Sequence, residues 1–116
     1  MKLITLTALL GLFATPAMAD ERNFVLVNTT TRTVAQVFVS PANVNEWEED
    51  ILTVDVLPVD RRVTIRFVDD LDQCEYDIKV VHDDGDSAVF GGINLCEASE
   101  VSISYQDNGL PLAYVE

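Results

Sequence analysis

Two cysteines, Cys74 and Cys96, flank the strongest turn signal in the chain, Asp84-Gly85. The sequence has no other cysteine and only one histidine, so a zinc or copper site is not indicated. In an oxidising compartment, two such thiols are expected to form one disulfide bond. The bond would close a loop of about 23 residues and stabilise the fold by about 3 kcal/mol on the chain-entropy model. The pair therefore predicts a stapled hairpin.

The first 19 residues have the pattern of a cleaved signal peptide. Lys2 supplies a positive charge, an apolar stretch follows, and Ala17-Met18-Ala19 forms a small-residue cleavage site. The stretch is shorter than the roughly 20 residues that a membrane-spanning helix needs, and no later run is a candidate, so membrane insertion is not expected. Cleavage would leave residues 20–116 as a single β domain. We expect it to be a periplasmic or secreted monomer.

The charge of this domain is strongly negative. All 20 acidic residues follow position 19, against 6 basic ones, which gives a formal charge of −14 for residues 20–116. Such a field opposes binding to nucleic acid and favours cations or basic proteins.

Most apolar segments alternate with polar residues and are rich in β-branched side chains, which predicts an all-β domain. The expected strands cover residues 24–27, 33–39, 61–68, 74–80, 87–95, 100–105 and 110–115. The first two are expected to form a hairpin. We predict a small immunoglobulin-like sandwich, with a small closed β-barrel as the alternative.

The disulfide places a demand on the hairpin around Asp84-Gly85. A two-residue loop with positive φ at both positions would set Val80 opposite Val89 and Cys74 opposite Leu95. The second strand must then accommodate one additional residue that has no partner opposite it before Cys96 can lie opposite Cys74. The sequence leaves three solutions: a β-bulge at Asn94, a β-bulge at Gly91-Gly92, or separation of the strands so that the bond bridges different sheets.

The segment from Asn43 to Leu52 does not alternate. Asn45 is a possible helix cap, and Trp47 and Ile51 lie four residues apart, so this crossover is predicted to be short and helical, or irregular. Trp47 is expected to anchor it against the sheet, the alternative being a ligand-stacking platform. Trp47 and the acidic residues beside it form a candidate partner surface: Glu46, Glu48, Glu49 and Asp50.

Two aspartate-rich turns are weak candidates for calcium, which prefers oxygen ligands. They contain Asp69, Asp70 and Asp72, and Asp83, Asp84 and Asp86. Neither matches the twelve-residue calcium loop, and turn-forming aspartates explain the same residues. No cofactor other than calcium is indicated.

Catalytic chemistry is not predicted. His82 is the sole histidine and lies beside a turn, so we expect it to be exposed, and no other neutral base accompanies the serines and threonines.

A resemblance adds to this interpretation. Residues 24–97 resemble a group of small exported bacterial all-β proteins of unknown function. The motifs are Val37-x-Val39-Ser40-Pro41, Trp47, Leu57-Pro58, Cys74-x-Tyr76-Asp77-Ile78, Asp84-Gly85 and Asn94-Leu95-Cys96. The resemblance implies a bacterial envelope or secreted context and no particular activity.

The function that these features predict is a non-enzymatic exported binding or accessory protein of the bacterial envelope. Its acidic surface would engage a basic protein, for example as an inhibitor of a cationic enzyme such as lysozyme. The alternative is a calcium-stabilised structural protein of the periplasm.

Overall fold

The computed structural model describes residues 20–21, 23–44, 46–66, 68–69 and 73–116. The predicted signal peptide lies outside these residues. The described part contains no helix, and hence none that could span a membrane. Its strands are β1 (Asp20–Glu21), β2 (Phe24–Asn28), β3 (Val34–Pro41), β4 (Arg62–Ile65), β5 (Val68–Asp69), β6 (Glu75–His82), β7 (Ser87–Asn94), β8 (Glu100–Tyr105) and β9 (Pro111–Val115).

Two sheets enclose the hydrophobic core. One has the strand order β4-β2-β8-β9 and the other β3-β6-β7, while β1 and β5 form a separate two-stranded ribbon. Both sheets contribute fully buried side chains, among them Leu26, Val101 and Ile103 from the first and Val37, Ile78 and Val80 from the second. The predicted immunoglobulin-like all-β sandwich is therefore confirmed, and the sheets do not close into a barrel.

The predicted hairpin between the first two long strands is wrong. β2 pairs with β4 and runs parallel to β8, whereas β3 pairs with β6 in the other sheet. Beyond the end of β2, the Thr29 N–H still donates to the Ile103 carbonyl at 3.0 Å. The chain thus continues along β8 before it crosses to the second sheet.

The loop between β6 and β7 has three residues instead of the predicted two. The His82 N–H donates to the Asp86 carbonyl at 2.7 Å, and only Gly85 within the loop has a positive φ, at 93°. This matches a type I turn followed by a left-handed glycine. Val80 consequently lies opposite Ala88, and its predicted pairing with Val89 is wrong.

The β-bulge predicted at Gly91-Gly92 is confirmed. The register of β6 and β7 shifts between Tyr76 and Ile78, opposite the two glycines. Gly92 has a φ of 69°, and its N–H donates to Asp77 Oδ1 at 3.0 Å. The bulge absorbs one residue, because glycine adopts this left-handed conformation without steric cost.

The predicted disulfide between Cys74 and Cys96 is also confirmed, with a Cα–Cα distance of 5.1 Å. The Leu95 N–H still donates to the Cys74 carbonyl at 2.9 Å, so the bulge alone does not bring the cysteines together. A turn starting at Asn94 supplies the last step, since the Asn94 carbonyl accepts from the Ala98 N–H at 3.1 Å. A structural disulfide is typical of an oxidising compartment.

The crossover between β3 and β4 is irregular. Residues 43–44 and 46–52 contain no helix, and the predicted cap Asn45 lies outside the described residues. The Ile51 N–H donates to the Val37 carbonyl at 2.8 Å, and Leu57 pairs with Val34. The backbone of the segment bonds to the edge of β3, so the segment covers that side of the sandwich.

Candidate functional site

The Trp47 patch comprises Trp47 and the four acidic residues predicted with it. Trp47 is half-buried and lies near the ammonium group of Lys79, which is 5.9 Å from the centre of its ring and 5.7 Å from that of Phe38. Lys79 pairs with Phe38 on the outer face of the three-stranded sheet. These cation–π contacts hold the crossover against the outside of the sheet, as the anchoring interpretation of Trp47 requires, and not in the core.

The four carboxylates of the patch have two different roles. Glu46, Glu48 and Glu49 are exposed, and none of them forms an ion pair with a described residue. Asp50 instead accepts hydrogen bonds from the N–H groups of Val37 at 2.9 Å and Leu52 at 3.0 Å, both at Oδ1. Asp50 is therefore a structural tie to β3, and the three glutamates are the side chains available to a partner.

In the second aspartate-rich turn, Asp84 and Asp86 form ion pairs with Arg32. Arg32 donates through one guanidinium nitrogen to Asp84 Oδ2 at 2.9 Å and to Asp86 Oδ2 at 2.7 Å. A hydrogen bond from the Asp86 N–H lowers the pKa of the Asp84 carboxyl, and Arg32 adds to this shift. Asp83 is exposed and lies beside this pair in the turn.

Calcium binding stays a prediction. No group of three or more His, Cys, Asp or Glu residues in the described part of the chain is placed to hold a metal ion. The first predicted turn cannot be assessed, since Asp70 and Asp72 lie outside the described residues and the side chain of Asp69 is not described.

His82 is buried, with only 1% of its surface exposed, so the predicted exposed turn histidine is wrong. Its Nδ1 lies 3.1 Å from the Thr33 carbonyl, and its Nε2 lies 2.7 Å from the Tyr105 hydroxyl. Because a carbonyl only accepts, the proton of the neutral ring is assigned to Nδ1, and the Tyr105 hydroxyl then donates to Nε2. Both ring nitrogens are engaged, which leaves neither to activate a serine.

Tyr105 joins His82 to the arginine. The Arg32 guanidinium carbon lies 5.7 Å from the centre of the Tyr105 ring. Burial raises the pKa of the Tyr105 hydroxyl, and the carboxylates of Asp86 and Asp84 act in the same direction. We call these five residues the Arg32 cluster: Arg32, His82, Asp84, Asp86 and Tyr105. A cavity of about 460 Å³ opens beside it, lined by Arg32, Asp86, Ser87, Ala88, Tyr105, Gly109 and Pro111.

The buried amide of Asn28 positions Arg32. Its Nδ2 donates to the carbonyl oxygens of Arg32 at 2.9 Å and Leu57 at 3.0 Å, and its Oδ1 accepts from the Thr30 N–H at 3.0 Å. Asn28 is fully buried. One side chain thus fixes the loop that carries Arg32 and joins it to the crossover, as expected for a buried polar group with all its partners in place.

Only part of the Arg32 cluster can be predicted from the sequence. Alternation within β6 indicates that His82 shares the buried face of Ile78 and Val80. Nothing local connects Arg32 to Asp84 and Asp86, which lie more than 50 residues away. Chemically, the cluster presents a phenol ring and two carboxylates that are partly neutralised by one guanidinium group.

The chain matches no family model, and no curated protein is significantly similar to it. Among solved structures, the chain is similar to the NMR structure of a protein from Eubacterium rectale. The alignment covers 82% of this chain and 87% of that chain, with a TM-score of 0.55 and 15% sequence identity. At this identity the likeness extends to the fold alone.

Proposed function

We propose that the chain is a non-enzymatic binding protein, exported to the bacterial envelope or beyond, that engages a basic protein partner. The observation that carries the proposal is the Trp47 patch, where three exposed glutamates without ion pairs among the described residues flank a half-buried tryptophan. Acidic side chains around an aromatic anchor are suited to a cationic surface, because the ring supplies contact area and the carboxylates supply attraction and orientation.

The overall charge supports the same function. Residues 20–116 carry 20 acidic and 6 basic residues, so the attraction of a cationic protein extends beyond the patch itself. The disulfide supports export, since cytosolic thiols are kept reduced. In a binding protein, the Arg32 cluster would serve as a rigid support for the loops at one end of the sandwich.

The test uses two variants that change the net charge equally. In the first, Glu46, Glu48 and Glu49 are each replaced by glutamine. The matched control replaces three exposed acidic residues elsewhere that make no side-chain hydrogen bond among the described residues: Asp83→Asn, Glu97→Gln and Asp107→Asn. Binding to lysozyme, used as the cationic probe, is measured by calorimetry at about 20 mM and 300 mM salt.

We expect the patch variant to bind at least tenfold more weakly than the control variant, and salt to weaken the wild type, since three interfacial charges are worth about 1.4 kcal/mol or more. Trp47 is the only tryptophan, so its fluorescence should change when polylysine, which has no tryptophan, is added. Equal losses in both variants would remove the patch from the interface. Failure to bind lysozyme and polylysine would overturn the proposed function.

A further inference from the structure

The described residues leave one side of the sandwich uncovered. Within this part of the chain, β7 pairs only with β6 and β9 only with β8, and the two edge strands lie side by side. A groove of about 350 Å³ runs between them, lined by residues 89–93, Pro111, Leu112, Ala113 and Val115. Pro111 also lines the cavity beside the Arg32 cluster, so the two hollows adjoin. We call this uncovered side the β7–β9 seam.

The backbone of β9 directs unpaired groups along this seam. The Gln106 N–H donates to the Leu110 carbonyl, and the Glu116 N–H donates to the Glu100 carbonyl, both at 2.9 Å. In an antiparallel ladder, every second residue of a strand bonds to the neighbouring strand. These two bonds therefore place the N–H and carbonyl groups of Leu112 and Tyr114 towards β8 and those of Ala113 and Val115 away from it. Among the described residues, the N–H groups of Ala113 and Val115 have no hydrogen-bond partner.

The other edge is less suited to pairing. β7 is interrupted by the bulge at Gly91-Gly92, and the Gly92 N–H is taken by Asp77. Bulges of this kind protect edge strands from further pairing. β9 has no such protection over residues 112–115, where it carries no charge, and Tyr114 and Val115 are 61% and 45% exposed. The opposite side of the sandwich is covered by the crossover, which bonds to β3 at Val37.

The charge around the seam indicates what covers it. Residues 83–116, which form β7, β8 and β9 and their loops, contain seven acidic residues and no lysine or arginine. Arg32 pairs with Asp84 and Asp86, and Arg62 pairs with Glu100, which leaves Asp83, Glu97, Asp107 and Glu116 without an ion pair among the described residues. A second copy of this chain would bring the same excess of negative charge to the contact. A cationic segment would meet the exposed carboxylate of Glu116 at one end of the seam. At the other end it would meet Asp86, which is exposed and also pairs with Arg32.

We propose that the edge of β9 accepts an extended basic segment of a partner protein as an added strand. Alternate apolar side chains of that segment fill the groove, and its lysines or arginines lie among the surrounding carboxylates. The inference rests on the proposed function for the class of partner, a basic protein, and adds a second contact on the side of the sandwich opposite the Trp47 patch. β9 is five residues long, about 17 Å at 3.4 Å per residue, which a segment of five to seven residues spans.

The experiment measures amide hydrogen exchange by NMR with a synthetic nine-residue peptide of alternating lysine and valine as the probe. At saturation, we expect exchange at the Ala113 and Val115 amides to slow at least tenfold. The Leu112 and Tyr114 amides already bond to β8 and serve as the internal control. An alternating glutamate and valine peptide should give no protection, and neither should the lysine peptide after Ala113→Pro, which removes an outward N–H without removing a bond to β8.

The outcomes separate this inference from the proposed function. If the lysine peptide leaves both amides unprotected while lysozyme still binds through the Trp47 patch, strand addition at β9 is wrong and the proposed function stands. If the glutamate peptide protected the Ala113 and Val115 amides equally, the proposal that the partner is cationic would be overturned. Protection of the two amides that rises with protein concentration in the absence of peptide would show that a second copy occupies the edge, and would overturn the proposal.

Discussion

The hydroxyl of Tyr105 is expected to stabilise the fold through a single hydrogen bond to buried His82. Tyr105→Phe removes that hydroxyl and keeps the ring, which packs near Phe90 and His82 at centroid distances of 5.9 and 5.7 Å. The 2.7 Å bond to His82 Nε2 is lost, while the bond between Nδ1 and the Thr33 carbonyl is kept. The variant therefore leaves one buried acceptor without its partner.

The size of the effect follows from where the acceptor lies. An unsatisfied buried polar group costs about 1–3 kcal/mol, whereas a net hydrogen bond contributes about 0.5–1.5 kcal/mol. Tyr105 borders the cavity beside the Arg32 cluster, so water has a route to the vacated position, and the lower part of the range applies. We expect Tyr105→Phe to reduce the free energy of unfolding by about 1–2 kcal/mol, which lowers Tm by roughly 4–16 °C for a domain of this size.

The assay is urea unfolding at pH 7, followed by circular dichroism. Tyr114→Phe is the matched control, because it removes the same hydroxyl from a side chain that is 61% exposed and should change stability by less than about 0.5 kcal/mol. In a double-mutant cycle with His82→Leu, the two changes should couple by at least about 0.5 kcal/mol. Equal effects of the two tyrosine substitutions, or additive effects in the cycle, would refute the reasoning.

Three further predictions concern stability. Replacing both Cys74 and Cys96 by serine should lower the free energy of unfolding by about 3 kcal/mol in urea titrations, because a loop with a sequence separation of 22 is no longer closed. Asn28→Ala should cost about 3 kcal/mol by the same measurement, since it removes the acceptor of the Thr30 N–H and one of two hydrogen bonds at each of the Leu57 and Arg32 carbonyls. Asp84 has a lowered pKa, so its contribution is present above its ordinary value of 3.8 and is lost as the pH falls through the lowered pKa of the folded state; the destabilisation caused by Asp84→Asn should therefore be smaller at pH 2.5 than at pH 6.

Each of these has an outcome that contradicts it. A serine double variant within 1 kcal/mol of the wild type would mean that the unfolded chain gains little freedom on loss of the bond. A loss below 1 kcal/mol for Asn28→Ala, with Thr29→Ser as the control, would mean that water replaces the amide. A constant stability difference between wild type and Asp84→Asn from pH 6 to pH 2.5 would remove Asp84 as a source of acid sensitivity.

Local patterns predicted most of the strands because burial alternates along them, but the single strand predicted over residues 61–68 is wrong, since β4 and β5 are separate and belong to different sheets. In β6, Tyr76, Ile78, Val80 and His82 are buried while the residues between them are more exposed. The position of the bulge was also predictable from Gly91-Gly92, but its effect was not: it offsets the three-residue loop and leaves Leu95, not Cys96, opposite Cys74. The loop type could not be predicted, because Asp84-Gly85 fits both two-residue and three-residue hairpins. The predicted two-residue loop therefore gives the wrong partners from Val80 to Ile78, whereas beyond the bulge the predicted pairing of Tyr76 with Ile93 is correct.

The pairing of distant strands was beyond local patterns. β2 runs beside β8 with Val25 opposite Glu100, 75 residues away, and no alternation in either strand encodes that contact. The candidate site also has one part that local patterns predict and one part that they do not. The exposure of Glu46, Glu48 and Glu49 follows from their charge, whereas the tie between Arg32 and the aspartates of a later hairpin depends on the crossing of β3 to the second sheet. From the sequence alone, Asp50 belongs with the partner surface, because its hydrogen bond from the Val37 N–H is equally non-local.

The parallel contact between β2 and β8 also has a consequence for the order of folding. The β3-β6-β7 sheet is built from residues 34–94 and contains no pairing with β8. β2 lies earlier in the sequence but needs residues 100–103 for its parallel neighbour. Because distant contacts cost more loop-closure entropy, the three-stranded sheet should assemble first and offer its apolar face as a template for the rest. β8 and β9 would then complete the domain. Deletion of residues 100–116 should therefore disturb β2 more than the β3-β6-β7 sheet.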